Sequence, residues 1–245
     1  MKFKQFYESD WSAKDDDYHS QEMNTFADSR TRLIEKTWLP LLRGRSPQTV
    51  KVLDASCASG GFVRFFKSLM LGVVAIDIAF DATRRTRRSV PGASVAVASA
   101  EEGLPFRNES FDVVWFGETL AALFDGHNAL SEFNRVLKPN GLLVLTTPYH
   151  GRLKNLAIAL HGFEKHYYPD NYRIRFYNKK SLEVALIWSG FAPRYWKGVG
   201  GFWPLWQSLF VIAEKRRPPG PAPARIDPDE RLDPKAILNY SRDRA

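Results

Sequence analysis

The stretch Val52–Gly61, with the sequence VLDASCASGG, decides the fold of this chain. It reads as a short apolar strand, a turn of very small side chains and the start of a helix. In an open parallel sheet, ligands bind outside the carboxyl ends of the strands, so a nucleotide-like ligand would lie at this turn. Small side chains there let backbone N–H groups approach the ligand closely.

The alternation of strand and helix continues beyond this stretch. Apolar runs predict strands at 50–55, 72–78, 94–98, 111–116 and 141–147, and helical spacing predicts helices at 61–71, 81–89, 129–137 and 181–189. Two further strands, near 193–197 and 209–214, are joined by a connection without helical pattern, which predicts an antiparallel hairpin. We therefore predict an α/β, Rossmann-like, doubly wound seven-stranded sheet, mostly parallel with an antiparallel C-terminal hairpin strand.

Turn and helix-capping residues refine the boundaries of these strands and helices. The run Lys138–Gly141, KPNG, predicts a turn before the fifth strand. Ser181 is the residue we expect to cap the last helix, and Gly190 the residue that ends it.

The chain divides into three parts by composition. Residues 1–48 are polar and aromatic, and we expect an N-terminal helical lid with one helix at 29–42. Residues 49–215 form the α/β domain, which contains a basic and aromatic insertion at 148–180. Residues 216–245 are rich in proline and predict a flexible tail.

Composition excludes several classes of protein. The 245 residues include one cysteine, Cys57, which excludes a disulfide framework and a multi-cysteine zinc site, and no metal site is predicted. Met1–Asp10 lack a signal-peptide pattern, and the longest apolar stretch, Gly200–Ala213, is shorter than the ~20 residues of a membrane span, so we expect a cytoplasmic protein. The net charge of +8 leaves an anionic substrate, nucleic acid and a membrane surface open.

The position of Asp54 distinguishes two cofactors. A dinucleotide would place its anionic pyrophosphate over the turn, where this carboxylate would repel it. S-adenosylmethionine carries an ammonium and a sulfonium, which a nearby carboxylate attracts. The turn also lacks the G-x-G-x-x-G pattern and the P-loop lysine. S-adenosylmethionine is therefore the better fit.

Four further motifs follow the first stretch in a fixed order. They are Ala75–Ile78 (AIDI), Ala100–Phe106 (AEEGLPF), Ser110–Val114 (SFDVV) and Phe133–Leu143 (FNRVLKPNGLL). With these motifs, residues 50–215 resemble the class I S-adenosylmethionine-dependent methyltransferases. The resemblance is to the small-molecule branch of the ubiquinone and biotin biosynthesis type, methyltransferase type 11. It implies that the chain is an enzyme with S-adenosyl-L-methionine as cofactor.

The resemblance also implies roles for individual residues. It assigns Asp54, Ala55, Ser56, Ala58 and Gly60 to the methionine end of the cofactor, Asp77 to the ribose hydroxyls, Ile78, Ala100 and Glu101 to the adenine, and Phe116 and Gly117 to the floor beneath the methionine moiety. The family usually has glycine at the positions of Ser56 and Ala58. Its common Glu-His pair after the fourth strand is replaced here by Ala121-Ala122, which argues against a catechol or quinone acceptor.

The acceptor side is expected to lie in the insertion. A hydroxyl acceptor calls for a general base, and His150, just after the fifth strand, is our first candidate and His166 the second. Clustered cations and aromatic rings in residues 150–180 favour a small-molecule acceptor that is anionic or sugar-like. We therefore predict O-methylation of a small-molecule or glycan-type metabolite by in-line displacement.

Three alternatives stay open. The run Arg84–Arg88 resembles a phosphate-binding patch and would suit an RNA methyltransferase, but a charge run is usually a solvated helix face, so we favour a small molecule over nucleic acid. A degenerate, non-catalytic binding module with the same fold is the second alternative. The third is peripheral membrane or partner contact through the aromatic run Phe202–Trp206.

Overall fold

A computed structural model describes residues 8–9, 29–42, 44–168 and 173–220. The strands are β1 (Lys51–Asp54), β2 (Gly72–Asp77), β3 (Ser94–Val97), β4 (Phe111–Gly117), β5 (Leu137–Pro148), β6 (Phe191–Val199) and β7 (Ser208–Lys215). The helices are α1 (29–37), α2 (Gly61–Ser68), α3 (Phe80–Ser89), α4 (Gly126–Val136), α5 (Arg152–His161), α6 (Phe163–His166) and α7 (Lys179–Trp188). A 3-10 turn at Leu39–Leu42 follows α1. Most of the predicted lid and tail lies outside the described residues.

The strands form one sheet in the order β3-β2-β1-β4-β5-β7-β6. The first five strands run parallel to one another, and β7 runs antiparallel to both β5 and β6. The predicted fold class, including the C-terminal hairpin, is thus confirmed. Because β1, β2, β4 and β5 are parallel, their carboxyl ends meet at one edge of the sheet, which we call the carboxyl edge.

Both faces of the sheet are covered by apolar clusters. On one face, the ring centroids of Phe116 and of Phe133 in α4 lie 4.8 Å apart. On the other face, Trp115 lies 4.3 Å from Phe62 of α2, in a cluster that includes Trp38. Neighbouring residues of β4 therefore point to opposite covered faces, which explains why the strand is apolar from Val113 to Phe116.

Two of the predicted boundaries are wrong. The run Lys138–Gly141 lies inside β5, where the pairing with β4 changes register between Phe111 and Val113, so the chain passes through it as an irregularity of the strand. The last helix is capped by Asn178, and Ser181 is its partner in a capping box, donating from its main chain and accepting from that of Asn178. Gly190 ends this region as predicted, with a φ of +83°.

The insertion contains regular structure that the sequence did not reveal. Helices α5 and α6 lie within it, directly after β5. Among the described helices, none has the length and apolar character needed to cross a bilayer. Within the same residues, no group of three or more His, Cys, Asp or Glu side chains is arranged to hold a metal ion.

Candidate cofactor and acceptor site

Two buried carboxylates lie at the carboxyl edge, at the ends of β1 and β2. Asp54 is 1% exposed; its Oδ1 accepts a long hydrogen bond from the Ser56 N–H (3.4 Å), and its Oδ2 has no hydrogen-bond partner. Asp77 accepts from the N–H groups of Ala58 and Ala79, each at 3.0 Å. In the described part of the chain, neither carboxylate forms an ion pair with Lys or Arg.

This arrangement raises the pKa of both carboxyl groups. Burial raises the pKa of Asp54 from 3.8 to about 7, with the Ser56 N–H opposing and the charge of Asp77 adding to the effect. Burial likewise raises the pKa of Asp77 to about 6, against the lowering effect of its backbone donors. A cation placed beside the two groups would favour their ionised forms. The pair is therefore suited to a positively charged ligand.

The turn between these acids is fixed by α3. Ala58 and Gly60 both have positive φ, at 50° and 88°. Thr86 donates its hydroxyl to the carbonyl of Ala58 (2.9 Å), and Ser89 donates to the carbonyl of Ser59 (2.8 Å). A Cβ on Gly60 would lie 3.0 Å from both Ser89 Oγ and Thr86 Cγ2, so a side chain there would be crowded by α3 as well as disfavoured by φ.

Residues predicted around the adenine lie at the neighbouring strand ends. Ile78 is half-buried directly after Asp77, and Ala100 is buried after β3. The carboxylate of Glu101 accepts a hydrogen bond from the Asp125 N–H (2.5 Å), and its carbonyl accepts from the Asn128 side chain (2.6 Å). Glu101 thus holds the start of α4 close to this end of the sheet.

The end of β4 comes close to the turn after β1. Ser56 Oγ lies 3.4 Å from the Gly117 carbonyl, to which it donates, so the serine that replaces a family glycine bridges the two strand ends. The side chain of Phe116 is fully buried in the core. Phe116 would therefore contribute to a cofactor site through its main chain.

Glu118 is a further carboxylate at the carboxyl edge, which no sequence motif singles out. It has a φ of +58°, directly after β4. Its carboxylate accepts from Arg30 of α1 (2.9 Å) and from Ser208 at the start of β7 (3.0 Å). These partners lie 88 and 90 residues away in the sequence, so the sequence indicates a role for Glu118 only by its position after β4.

His150 lies on the acceptor side of the same edge. It is 4% exposed, and its Nδ1 lies 3.2 Å from Asn155 Oδ1 of α5. Because an amide oxygen only accepts, this contact places the proton of the neutral ring on Nδ1. Nε2, which is buried and has no hydrogen-bond partner, keeps its lone pair.

The cations of the insertion surround this histidine. Burial lowers the pKa of His150 to about 4; the Asn155 contact opposes the shift, and Lys154, His166 and Arg173 add to it. His166 lies next to it, with ring centroids 5.2 Å apart. Burial also lowers the pKa of Lys154 to about 8, and its ammonium donates to two main-chain carbonyls of the β6–β7 connection. The structure thus brings both candidate bases and a half-buried cation together.

The fold is that of a class I S-adenosylmethionine-dependent methyltransferase. It is defined by the order of the strands, by the antiparallel seventh strand and by the acids that end β1 and β2. Residues 53–145 match the family model described as "Methyltransferase domain". This part of the chain is therefore similar to methyltransferase domains and has the fold of this class, which uses S-adenosylmethionine. The match includes the turn after β1, both acids and β4.

Similar proteins agree with this assignment. The malonyl-[acyl-carrier protein] O-methyltransferase of Salmonella typhimurium is 32% identical over 121 residues, which are 49% of this chain and 47% of that protein. A SAM-dependent methyltransferase from Methanosarcina mazei has the same fold, with a TM-score of 0.57, 22% identity, and coverage of 72% of this chain and 97% of that one. The [4+2]-cyclase SpnF also shares the fold, with a TM-score of 0.60, 17% identity, and coverage of 78% and 81%.

The similarity to curated relatives is partial. The chain spans about half the length of the malonyl-[acyl-carrier protein] O-methyltransferases it matches, between 47% and 54% for the first three. The family model covers residues 53–145, which end within β5 and do not include the insertion at 148–180.

Proposed function

We propose that this chain transfers a methyl group from S-adenosylmethionine to an oxygen atom of a small-molecule acceptor. The observation that carries the proposal is the pair of buried carboxylates, Asp54 and Asp77, which meet no cation in the described residues of a methyltransferase domain. The names of the curated relatives, which are O-methyltransferases, favour oxygen as the acceptor atom.

The residues present fit the cofactor. The Oδ2 atom of Asp54, which has no hydrogen-bond partner, suits the cationic methionine end of the cofactor. Each carboxylate oxygen of Asp77 already accepts one N–H and can accept a further hydrogen bond from a ribose hydroxyl. Ile78 and Ala100 supply apolar surface for the adenine. When bound, S-adenosylmethionine supplies a methyl group activated by a sulfonium.

The chain's own task is then to align the acceptor, exclude water and accept a proton. His150 is the proposed base: Asn155 orients its ring, and Nε2 can take the proton of an acceptor hydroxyl. The low pKa of His150 keeps it neutral, and therefore able to accept, at ordinary pH. His166, against the same ring, is the second candidate.

The acceptor is proposed to be anionic or sugar-like. Lys154 is a half-buried ammonium that donates to carbonyls and forms no ion pair in the described structure, so an acceptor carboxylate or phosphate would offset its desolvation. The rings of Tyr167 and Phe176 beside His150 offer surface on which a sugar can stack. In this proposal the insertion 148–180 caps the acceptor.

Calorimetric titration with S-adenosylmethionine tests the cofactor half of the proposal. We expect binding by the native chain and at least roughly tenfold weaker binding by Asp77→Asn, because two acceptor sites for hydroxyls lose their charge. Glu35→Gln, on the exposed side of α1, is the matched control and should bind normally. A native chain that does not bind S-adenosylmethionine would favour the non-catalytic alternative and contradict the proposal.

Formation of S-adenosylhomocysteine with a panel of hydroxylated and carboxylated acceptors tests the catalytic half. With an active acceptor that is methylated on a hydroxyl, His150→Gln should lower kcat by about 10²–10⁴-fold, the usual contribution of a general base. His161→Gln, at the exposed end of α5, should leave kcat unchanged. Lys154→Met should raise KM for anionic acceptors more than for neutral ones, whereas Lys180→Met should not. An equal kcat for His150→Gln and the native chain would exclude His150 as the base.

A further inference from the structure

Helix α5 carries its leucines on the outside of the molecule. Leu153, Leu156 and Leu160 are spaced by three and four residues, so they share one face of the helix. Their exposed fractions are 55%, 55% and 68%, and no residue of α5 is buried. A surface helix normally turns such a face toward the core. In α5 the face that carries the three leucines points away from the described part of the chain.

The connection between β6 and β7 presents a second apolar surface beside it. Phe202 and Trp203 are each 68% exposed at this connection. Lys154, in the first turn of α5, donates to the carbonyls of Trp206 (2.9 Å) and Gln207 (3.2 Å), which ties the helix to the connection. We call the five exposed side chains the apolar rim: Leu153, Leu156, Leu160, Phe202 and Trp203.

The charge around the apolar rim is predominantly positive. Residues 150–215 contain ten Lys and Arg against four Asp and Glu, which is most of the excess in a chain of net charge +8. Arg152 is exposed and lies one helical turn before Leu156, so a cation borders the leucines directly. Aromatic and aliphatic side chains with a basic border are the features that hold peripheral proteins at anionic membranes.

We propose that the apolar rim docks this chain on an anionic lipid bilayer. A protein partner would be expected to satisfy about one hydrogen bond per 100–200 Å² of interface, and of these five side chains only Trp203 carries a donor. A bilayer needs no such donors and accommodates protruding side chains. Since α5 also contacts His150 through Asn155, docking would turn the acceptor side toward the membrane. The proposal does not rest on methyl transfer, because no rim residue belongs to the site.

Vesicle co-sedimentation of the full chain tests the proposal. The native chain should sediment with mixed phosphatidylcholine and phosphatidylglycerol vesicles, less with phosphatidylcholine alone, and less as salt is raised. Trp203→Ala should weaken partitioning by roughly tenfold or more, as expected for losing one large apolar side chain from the interface. Arg152→Glu should weaken binding to the anionic vesicles.

Matched variants at the opposite edge of the sheet serve as controls. Met70→Ala removes an apolar side chain that is 62% exposed, and Arg88→Glu changes an exposed cation of α3; both should sediment like the native chain. The proposal is overturned if the native chain does not sediment with anionic vesicles, or if the control variants weaken binding as much as the rim variants. It is also overturned if the chain forms a dimer that Trp203→Ala dissociates while vesicles are not bound, because a second copy would then cover the rim.

Discussion

Replacing Asp54 by Asn should make the cofactor-free protein more stable at neutral pH while impairing cofactor binding. The carboxyl pKa rises from 3.8 to about 7 on folding, because the group is buried without a cation. In the range between these values, the folded chain binds a proton that the unfolded chain releases. The stability that this proton provides is therefore present below about pH 4 and lost as pH rises through about 7.

The size of the effect follows from the shift. One pKa unit corresponds to about 1.4 kcal/mol, so a shift of about three units corresponds to no more than about 4 kcal/mol above pH 7. Asn keeps the shape of the protonated carboxyl and cannot ionise. Asp54→Asn should therefore raise the free energy of unfolding by up to about 4 kcal/mol at about pH 8, and change it little at about pH 4.

Urea unfolding across this pH range, without cofactor, measures the change. Calorimetry with S-adenosylmethionine on the same samples should show weaker binding by the variant.

Asp112→Asn is the contrasting control. Although burial alone would raise its pKa, the Lys51 N–H and the cations of Lys138 and Arg45 hold the pKa of Asp112 below its usual value. Asp112→Asn should therefore lower stability, by about 1–2 kcal/mol because the side chains of Arg45 and Lys138 are partly exposed. The reasoning would be refuted by an Asp54→Asn variant no more stable than the native chain at about pH 8, or by a stability difference between the two proteins that is the same at about pH 4 and at about pH 8.

Three further predictions concern the turn, the acceptor side and the core. Gly60→Ala should lower the free energy of unfolding by about 1–2 kcal/mol and weaken S-adenosylmethionine binding, because the φ of residue 60 is +88° and an alanine Cβ would press on Thr86 and Ser89. Urea unfolding and calorimetry measure the two effects. KM for an anionic acceptor, measured against pH, should rise above about pH 8, where Lys154 loses its proton. Trp38→Ala should cost about 3–5 kcal/mol in urea unfolding, because the side chain is fully buried against Phe66.

The sequence predicted the sheet because each strand carries its own signal. Strands buried on both faces read as apolar runs, and β4, with Trp115 and Phe116 pointing to opposite faces, is the clearest case. Boundaries were harder where several residues offer the same chemistry. Asn178 and Ser181 are both good caps, and their reciprocal hydrogen bonds decide between them only in three dimensions.

Features that depend on distant contacts were not predictable. Helix α5 escaped notice because its apolar residues lie among basic ones and do not pack into a core. Glu118 belongs to no motif, and its position is defined by Arg30 and Ser208, which are remote in sequence. The acids at the ends of β1 and β2 were predictable because parallel strands bring their ends together. That no Lys or Arg of the described residues pairs with them became visible only in the folded chain.

The single cysteine has a practical consequence. Cys57 is buried inside the turn after β1, where desolvation and then the charges of Asp77 and Asp54 raise the pKa of its thiol. A protonated and enclosed thiol reacts slowly with alkylating reagents, so labelling requires the turn to open. The rate of alkylation in the native protein therefore reports local opening at the cofactor loop, without an introduced probe or a competing thiol. Any ligand that closes this turn would be detected as protection of one atom.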